Sequence, residues 1–300
     1  MRIAVTGGSG LVGRALVAEL GGRGHELKVL SRNPQRTEEK LGVPAASWDP
    51  LSEPAPSQAL EGFDAVVHLA GENIAQRWSA RAKQAIRDSR VLGTRNLIAG
   101  LQGLHARPAT LVCSSAVGIY GARREEPLDE DAPVGYGFLA ELCAAWEAEA
   151  NRAASLEMRV VTMRTGVVLD AGEGALAKML PPFRLGVGGP VAGGHQYISW
   201  IHLDDLARMF AEAVEQQSWS GPVNATAPEP VTNAQFSHAL GAALHRPAFM
   251  PVPSFALELL YGEMAEIVTT GQRVLPAKAL VLGYEFQHPH LREALESALG

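Results

Sequence analysis

The chain has 300 residues, 47% hydrophobic and 19% charged, which is enough apolar material for a full α/β core and too much for a disordered chain. Its formal net charge of −6, with no basic cluster interleaved with aromatics, argues against a nucleic-acid surface. No apolar run approaches the roughly 18 residues of a membrane span, and the N-terminus reads as a strand and not as a leader.

The first thirteen residues carry the densest information. Ile3, Ala4 and Val5 form an apolar run suited to a strand buried on both faces. Gly7 allows a sharp turn, Gly10 lets a ligand approach bare backbone, and Gly13 lets the next helix pack closely on the strand. Residues 11–20 have apolar positions at helical spacing, so Ser9, Leu11 and Val12 lie where helix N–H groups and the positive dipole end would hold an anion, best a pyrophosphate. A second strand follows at 26–30, completing the context that a glycine fingerprint requires. Its end reads Val29-Leu30-Ser31-Arg32-Asn33. A carboxylate there would take a ribose 2′-hydroxyl; Ser31 and Arg32, with Arg36 as a second cation, instead suit a 2′-phosphate, and NADP(H) is the expected dinucleotide.

Further strand-like runs at 65–69, 110–113 and 160–163 alternate with helical patterns at 80–101 and 139–153. The expected fold is therefore α/β, a Rossmann-type doubly wound parallel sheet with a smaller C-terminal lobe. Residues 1–169, with about 197–226, are assigned to the nucleotide-binding domain, and 170–196 with 227–300 to the substrate or partner lobe, where glycine and proline punctuate the chain. Ligands of such sheets sit beyond the strand carboxyl ends, here Leu69-Ala70-Gly71, Ser114-Ser115 and Thr165-Gly166. Glu72, Arg77 and Trp78 directly follow one of these ends and are candidate substrate contacts, with Gln196 and Trp200 closing the opposite side. The helical run at 255–260 is expected to place its apolar residues in the lobe's core. Cys113 and Cys143 lack metal-ligand spacing and read as buried reduced thiols, which predicts a cytoplasmic compartment; no His, Cys, Asp or Glu set suggests a metal.

Thr6-Gly7-Gly8-Ser9-Gly10-Leu11-Val12-Gly13, Val66-Val67-His68-Leu69-Ala70-Gly71, Ser114-Ser115 with Tyr120-Gly121, Ile201-His202-Leu203-Asp204-Asp205 and Asn224 with Pro230-Val231-Thr232 occur in this order over about 230 residues. With them the chain resembles the extended short-chain dehydrogenase/reductases of the NAD(P)-dependent epimerase/dehydratase family. Ser89-Arg90, Gly71-Glu72-Asn73 and Gly271-Gln272-Arg273 look like one atypical subgroup, whose members end in a domain of unknown function and are labelled epimerase family proteins, sometimes cell-division inhibitors. The resemblance adds Arg90 to the cofactor contacts, makes Ser115 the residue that would bond a substrate oxygen, and makes His202 a hydrogen-bonded structural histidine in a segment that caps a strand and starts a helix.

One element of that pattern is missing. Catalysis in the superfamily rests on a tyrosine four residues before a lysine, whose charge lowers the phenol pKa. Four residues after Tyr120, Tyr136, Tyr197, Tyr261 and Tyr284 stand Arg124, Ala140, Ile201, Ala265 and His288. Glu141, Cys143, Tyr136 and Lys83 are the candidate substitutes. Two functions follow: an NADP(H)-dependent oxidoreductase or nucleotide-sugar epimerase acting on an unidentified small molecule, or a non-catalytic NADP(H)-binding regulator with a protein partner, possible as a homodimer. Neither reading involves nucleic acid or membrane.

Overall fold

A computed structural model describes the backbone of residues 1–300 and every side chain except those of Ala256 and Leu260. In chain order the elements are β1 (Arg2–Thr6), α1 (Leu11–Gly22), β2 (Glu26–Ser31), α2 (Pro34–Leu41), β3 (Ala45–Ser47), α3 (Ser57–Leu60), β4 (Ala65–His68), α4 (Ala80–Gln102) and β5 (Thr110–Ala116). Then come β6 (Pro127–Leu128), α5 (Phe138–Asn151), β7 (Arg159–Thr165), β8 (Val167–Leu169), α6 (Gly174–Arg184), β9 (Tyr197–Ile198), β10 (Trp200–His202), α7 (Leu203–Glu215) and β11 (Gly221–Ala225). The chain closes with β12 (Val231–Thr232), α8 (Asn233–Ala243), α9 (Ser254–Tyr261), α10 (Glu266–Thr269), β13 (Arg273–Val274), α11 (Ala277–Val281) and α12 (Leu291–Leu299).

Seven strands form one parallel sheet in the order β3-β2-β1-β4-β5-β7-β11. Chain direction across the sheet reverses between β1 and β4, the switch point at which doubly wound sheets bind ligands. Alternation along the strands explains the two faces. Ile3, Val5, Val29, Val67, Val112 and Val161 pack with α1 and α7 on one side, while Ala4, Leu30, Val66, Leu111 and Val160 pack with α4 and α5 on the other. Continuous apolar runs were therefore the right sign of strands covered on both sides.

A separate core joins α6, α8 and α12 through Leu176, Leu180, Phe183, Phe236, Leu240 and Leu295. Trp200 belongs to this core, with no exposed surface and its indole N–H donated to the Glu229 carbonyl, so it has no free face for a substrate. The expectation for 255–260 is also corrected. Phe255 and Leu259 are 70% and 77% exposed on α9, because the described chain puts nothing over that face; the Leu260 side chain lies outside the described residues.

Candidate functional site

The three glycines of the β1–α1 turn answer to different neighbours. Gly7 has φ +70°, and a Cβ there would lie 2.7 Å from the Ala70 nitrogen, so glycine lets the end of β1 settle onto the end of β4. A Cβ on Gly13 would lie 2.3 Å from the Gly7 carbonyl oxygen, so glycine is needed for α1 to touch the turn. Gly10 differs: its Cβ would meet only the Gly7 carbonyl, at 3.4 Å, and its other surroundings are open. Gly10 is also the N-cap of α1 and supplies no side-chain acceptor, so the first-turn N–H groups, beginning at Leu11 and Val12, remain available to an anion.

The end of β2 gathers positive charge beside this turn. Arg32 is exposed and has no ion pair among the described residues. The Ser31 hydroxyl accepts from the Thr37 hydroxyl at 2.8 Å and the Asn33 N–H at 3.2 Å, and Asn33 caps α2. Arg36 and Lys40 lie four residues apart on α2, which starts just after Arg32, and Lys40 Nζ reaches the Ser9 carbonyl at 3.5 Å. Sequence reading missed Lys40, although its i, i+4 spacing from Arg36 was the available signal.

At the end of β4 the Ala70 N–H is donated to the Thr6 hydroxyl, and His68 bonds that same hydroxyl through Nδ1 at 2.6 Å and Thr94 through Nε2 at 3.1 Å. Full burial pulls the imidazole down to about 4 from its ordinary 6.5. The unfolded chain therefore takes up a proton near pH 6.5 while the folded chain resists until about 4. Stability is intact above pH 6.5 and is lost as pH falls toward 4, by about 3 kcal/mol from this group. Urea unfolding at pH 7.5 and pH 5 measures the loss; a His68→Gln variant whose stability falls just as steeply would place the cause elsewhere.

In the C-terminal part of β5, Ser114 is half-buried, and α5 presents Leu139 against Gly118 and Cys143 beside Ala116 and Val117. Burial first, then the Glu147 charge, pushes the Cys143 thiol up to about 12, so it remains protonated. Ser115 is 4% exposed and donates its hydroxyl to Glu147 at 2.6 Å. Glu147 also receives a two-pronged ion pair from Arg164, at 2.9 Å on each arm. Arg164 extends to the Tyr120 hydroxyl and the Glu130 carbonyl, and Tyr120 donates to Asn224. Burial raises the Tyr120 pKa despite the opposing Arg164 charge, so this phenol holds its proton. The network links α5, β5, β7 and β11, and it occupies the Ser115 hydroxyl that the sequence assigned to a substrate oxygen.

The remaining candidates are scattered. Tyr136 is 94% exposed on the loop before α5, and Glu141 is exposed on the first turn of that helix. Lys83 pairs with Glu263 and lies over the Trp78 and Phe138 rings, 5.9 and 5.2 Å from their centroids. Trp78 is buried in a small apolar cluster with Ile86, Leu142 and Met264, whereas Arg77 is exposed beside Gly262 and Glu72 is exposed after Gly71. Gln196 donates to the Val191 and Val268 carbonyls. Thr165 and Gly166 end β7; a Cβ on Gly166 would strike the Ser199 carbonyl at 2.3 Å, which makes that glycine a packing requirement. Arg90 lies against Gly71, its guanidinium carbon 3.3 Å from where a Cβ would stand.

The fold also gathers His202, Asp204 and His288, which the sequence did not bring together as potential ligands. Here His202 accepts the Asp204 N–H at the start of α7, and its ring lies 3.8 Å from that of His288. The Nδ1 lone pair is thus already engaged in capping the helix.

The family model described as the NAD dependent epimerase/dehydratase family matches residues 3–225, and one described as a domain of unknown function matches 252–298. The epimerase family protein YfhF of Bacillus subtilis is 40% identical over 301 residues, spanning 100% of this chain and 98% of its own. The chloroplastic SDR39U1 homolog of Arabidopsis thaliana is also 40% identical, over 100% of this chain and 87% of its own. A crystal structure of human epimerase family protein SDR39U1 with NADPH superposes with a TM-score of 0.91 at 37% identity, covering 100% of both chains. With the glycine turn, the parallel sheet and these matches in agreement, the chain belongs to the NAD-dependent epimerase/dehydratase family.

Proposed function

We propose that this chain binds NADP(H) across the carboxyl ends of β1, β4 and β5, and uses it for hydride transfer to or from a small molecule without a tyrosine–lysine pair. The observation that carries the cofactor reading is the open Gly10 at the uncapped start of α1, beside Arg32, Arg36 and Lys40. The α1 N–H groups would hold the diphosphate, and the three cations the 2′-phosphate. The NADPH in the human relative's crystal structure supports the same reading. When bound, the cofactor supplies or removes the hydride.

NADPH is expected to bind about ten- to a hundredfold tighter than NADH, from charge-assisted contacts to the 2′-phosphate. Calorimetric titration decides the point, and Arg32→Ala should weaken NADPH while leaving NADH nearly unchanged. Equal dissociation constants for the two nucleotides would remove the preference.

Leu139 and Cys143 are four residues apart on α5 and face the end of β5, the placement a tyrosine–lysine pair would need. Neither supplies a proton near neutral pH, which favours a second reading, a non-catalytic NADP(H)-binding regulator. Incubating the NADPH-loaded protein with carbonyl compounds and following reduced-nicotinamide absorbance tests the enzyme; nucleotide sugars are followed by the sugar product, because epimerisation returns the hydride. Turnover supports the enzyme, and inactivity together with a partner captured only in the loaded state supports the regulator.

A further inference from the structure

A ring of contacts encloses the switch point between β1 and β4. The two strand ends meet where a Cβ on Gly7 would lie 2.7 Å from the Ala70 nitrogen. From β1 the chain runs through the glycine turn to Arg14, whose Nη1 donates to the Ser9 carbonyl at 3.0 Å and whose Nη2 pairs with Glu173 at 3.0 Å. Glu173 is the N-cap residue of α6. The next residue, Gly174, lies against the start of α1, with Leu11 Cδ2 3.3 Å from where its Cβ would stand. One turn further along α6, Lys178 Nζ donates to the Ala75 carbonyl at 2.7 Å, in the loop that follows β4. That loop leads back through Glu72 and Gly71 to Ala70, which completes the ring.

The parts of this ring differ in strength. The loop after β4 is tied to α4 and to itself, because the Glu72 N–H donates to the Ser89 hydroxyl at 2.9 Å and the Trp78 indole N–H to the Ile74 carbonyl at 3.0 Å. On α6, Leu176, Leu180 and Phe183 are buried in the core of the lobe. Lys178 stands two residues from both leucines, about 200° around the helix, and so on the opposite face. Among the described residues, Arg14–Glu173 and Lys178–Ala75 are the polar contacts by which α6 holds the two sides of the crevice. Glu173 and Lys178 are exposed, and contacts of this kind are weak enough to open and close readily.

We propose that α6 is a strap over the cofactor crevice, latched at Glu173 and Lys178, and that the nucleotide enters and leaves only when the latch opens; this rests on the NADP(H) reading above. A dinucleotide with its diphosphate at the start of α1 and its nicotinamide at the ends of β4 and β5 passes beneath α6 between those two points. The latch joins parts of the chain to each other and not to the nucleotide, so it closes over the crevice equally before and after binding. Removing it lowers the barrier to entry and to exit alike and leaves affinity where it was. A side chain that touched the nucleotide would behave differently, since its loss would speed release alone and weaken binding to match. Opening of the strap then sets the rate of cofactor exchange, a step that limits turnover in many enzymes that close over their ligands.

Stopped-flow mixing of the full chain with NADPH, followed by nicotinamide fluorescence, measures association, and a chase with excess NADP⁺ measures release. Lys178→Met keeps the length of the side chain and removes the donor, and both rates should rise about fivefold. Adding Glu173→Gln should bring both to about tenfold, with the NADPH dissociation constant within about twofold of the wild type's. Lys178→Arg can still donate to the Ala75 carbonyl and should return toward the wild-type rates. Unchanged rates in the double variant would overturn the strap. Faster release alone, with a matching loss of affinity, would overturn it by placing Lys178 on the nucleotide. A wild type that binds no NADPH fails at the first mixing and removes the cofactor reading, and the strap with it.

Discussion

Replacing Glu147 by alanine is expected to lower the unfolding free energy by about 3–5 kcal/mol, a large part of a typical domain's 5–15. Burial alone would lower the Arg164 pKa, but the Glu147 hydrogen bonds and charge outweigh it and raise it, so the carboxylate is what keeps this buried cation tolerable. Without it, Arg164 retains only the Tyr120 hydroxyl and the Glu130 carbonyl, and Ser115 loses its acceptor. Glu147→Gln should move in the same direction by less, since it keeps the volume and one acceptor but turns an amide toward the guanidinium. Ser115→Ala removes one donor to a charged group, roughly 1–2 kcal/mol, so any activity loss in that variant has to be read against its stability. Urea unfolding curves measure all three; a loss below about 1 kcal/mol for Glu147→Ala would mean that water takes over the carboxylate's role.

The central strands were legible because a strand covered on both faces writes itself as an uninterrupted apolar run, as at Ile3–Val5 within β1 and in Val66-Val67. The edge strands were not. β3 reads Ala-Ala-Ser, and β11 opens Gly-Pro, residues that signal a turn in isolation; pairing with β2 and β7 makes them strands. On α9 the same apolar spacing that marks a core helix is left facing outward, because periodicity records which side is apolar and is silent on whether anything covers it.

The site divides along the same line. The glycine turn could be read because thirteen consecutive residues contain strand, turn and helix start. The Glu147–Arg164–Ser115 network could not, since its members lie 17 to 49 residues apart and meet only where α5 crosses the ends of β5 and β7. Trp200 looked like a pocket wall from its neighbours in sequence, yet alternation along β10 turns it into the α6–α8–α12 core. Arg90 was visible as a residue type, but that its guanidinium lies over the Trp146 ring and bonds the Glu72 carbonyl depends on how α4 passes the end of β4.

Two glycine variants should fail in opposite ways. Gly13→Ala places a Cβ 2.3 Å from the Gly7 oxygen and 2.6 Å from the Gly8 Cα. Both neighbours are backbone, so α1 must move off β1, at a cost of about 1–3 kcal/mol and a lower melting temperature. Gly10→Ala meets no such obstacle: its backbone, at φ −74° and ψ 176°, suits any residue, and its Cβ would touch only the Gly7 oxygen at 3.4 Å. It should therefore fold with a melting temperature near the wild type's, apart from the few tenths of a kcal/mol up to about 1 by which alanine is the poorer N-cap. That same Cβ projects into the space through which a diphosphate reaches the first-turn N–H groups, and NADPH affinity should fall about a hundredfold as those contacts lengthen. Thermal melts and NADPH titrations of both variants give a crossed result if Gly10 clears the ligand and Gly13 clears the helix. Gly10→Ala that binds NADPH normally would put the diphosphate somewhere other than the start of α1, and Gly13→Ala as stable as the wild type would mean that the helix–turn contact relaxes without cost.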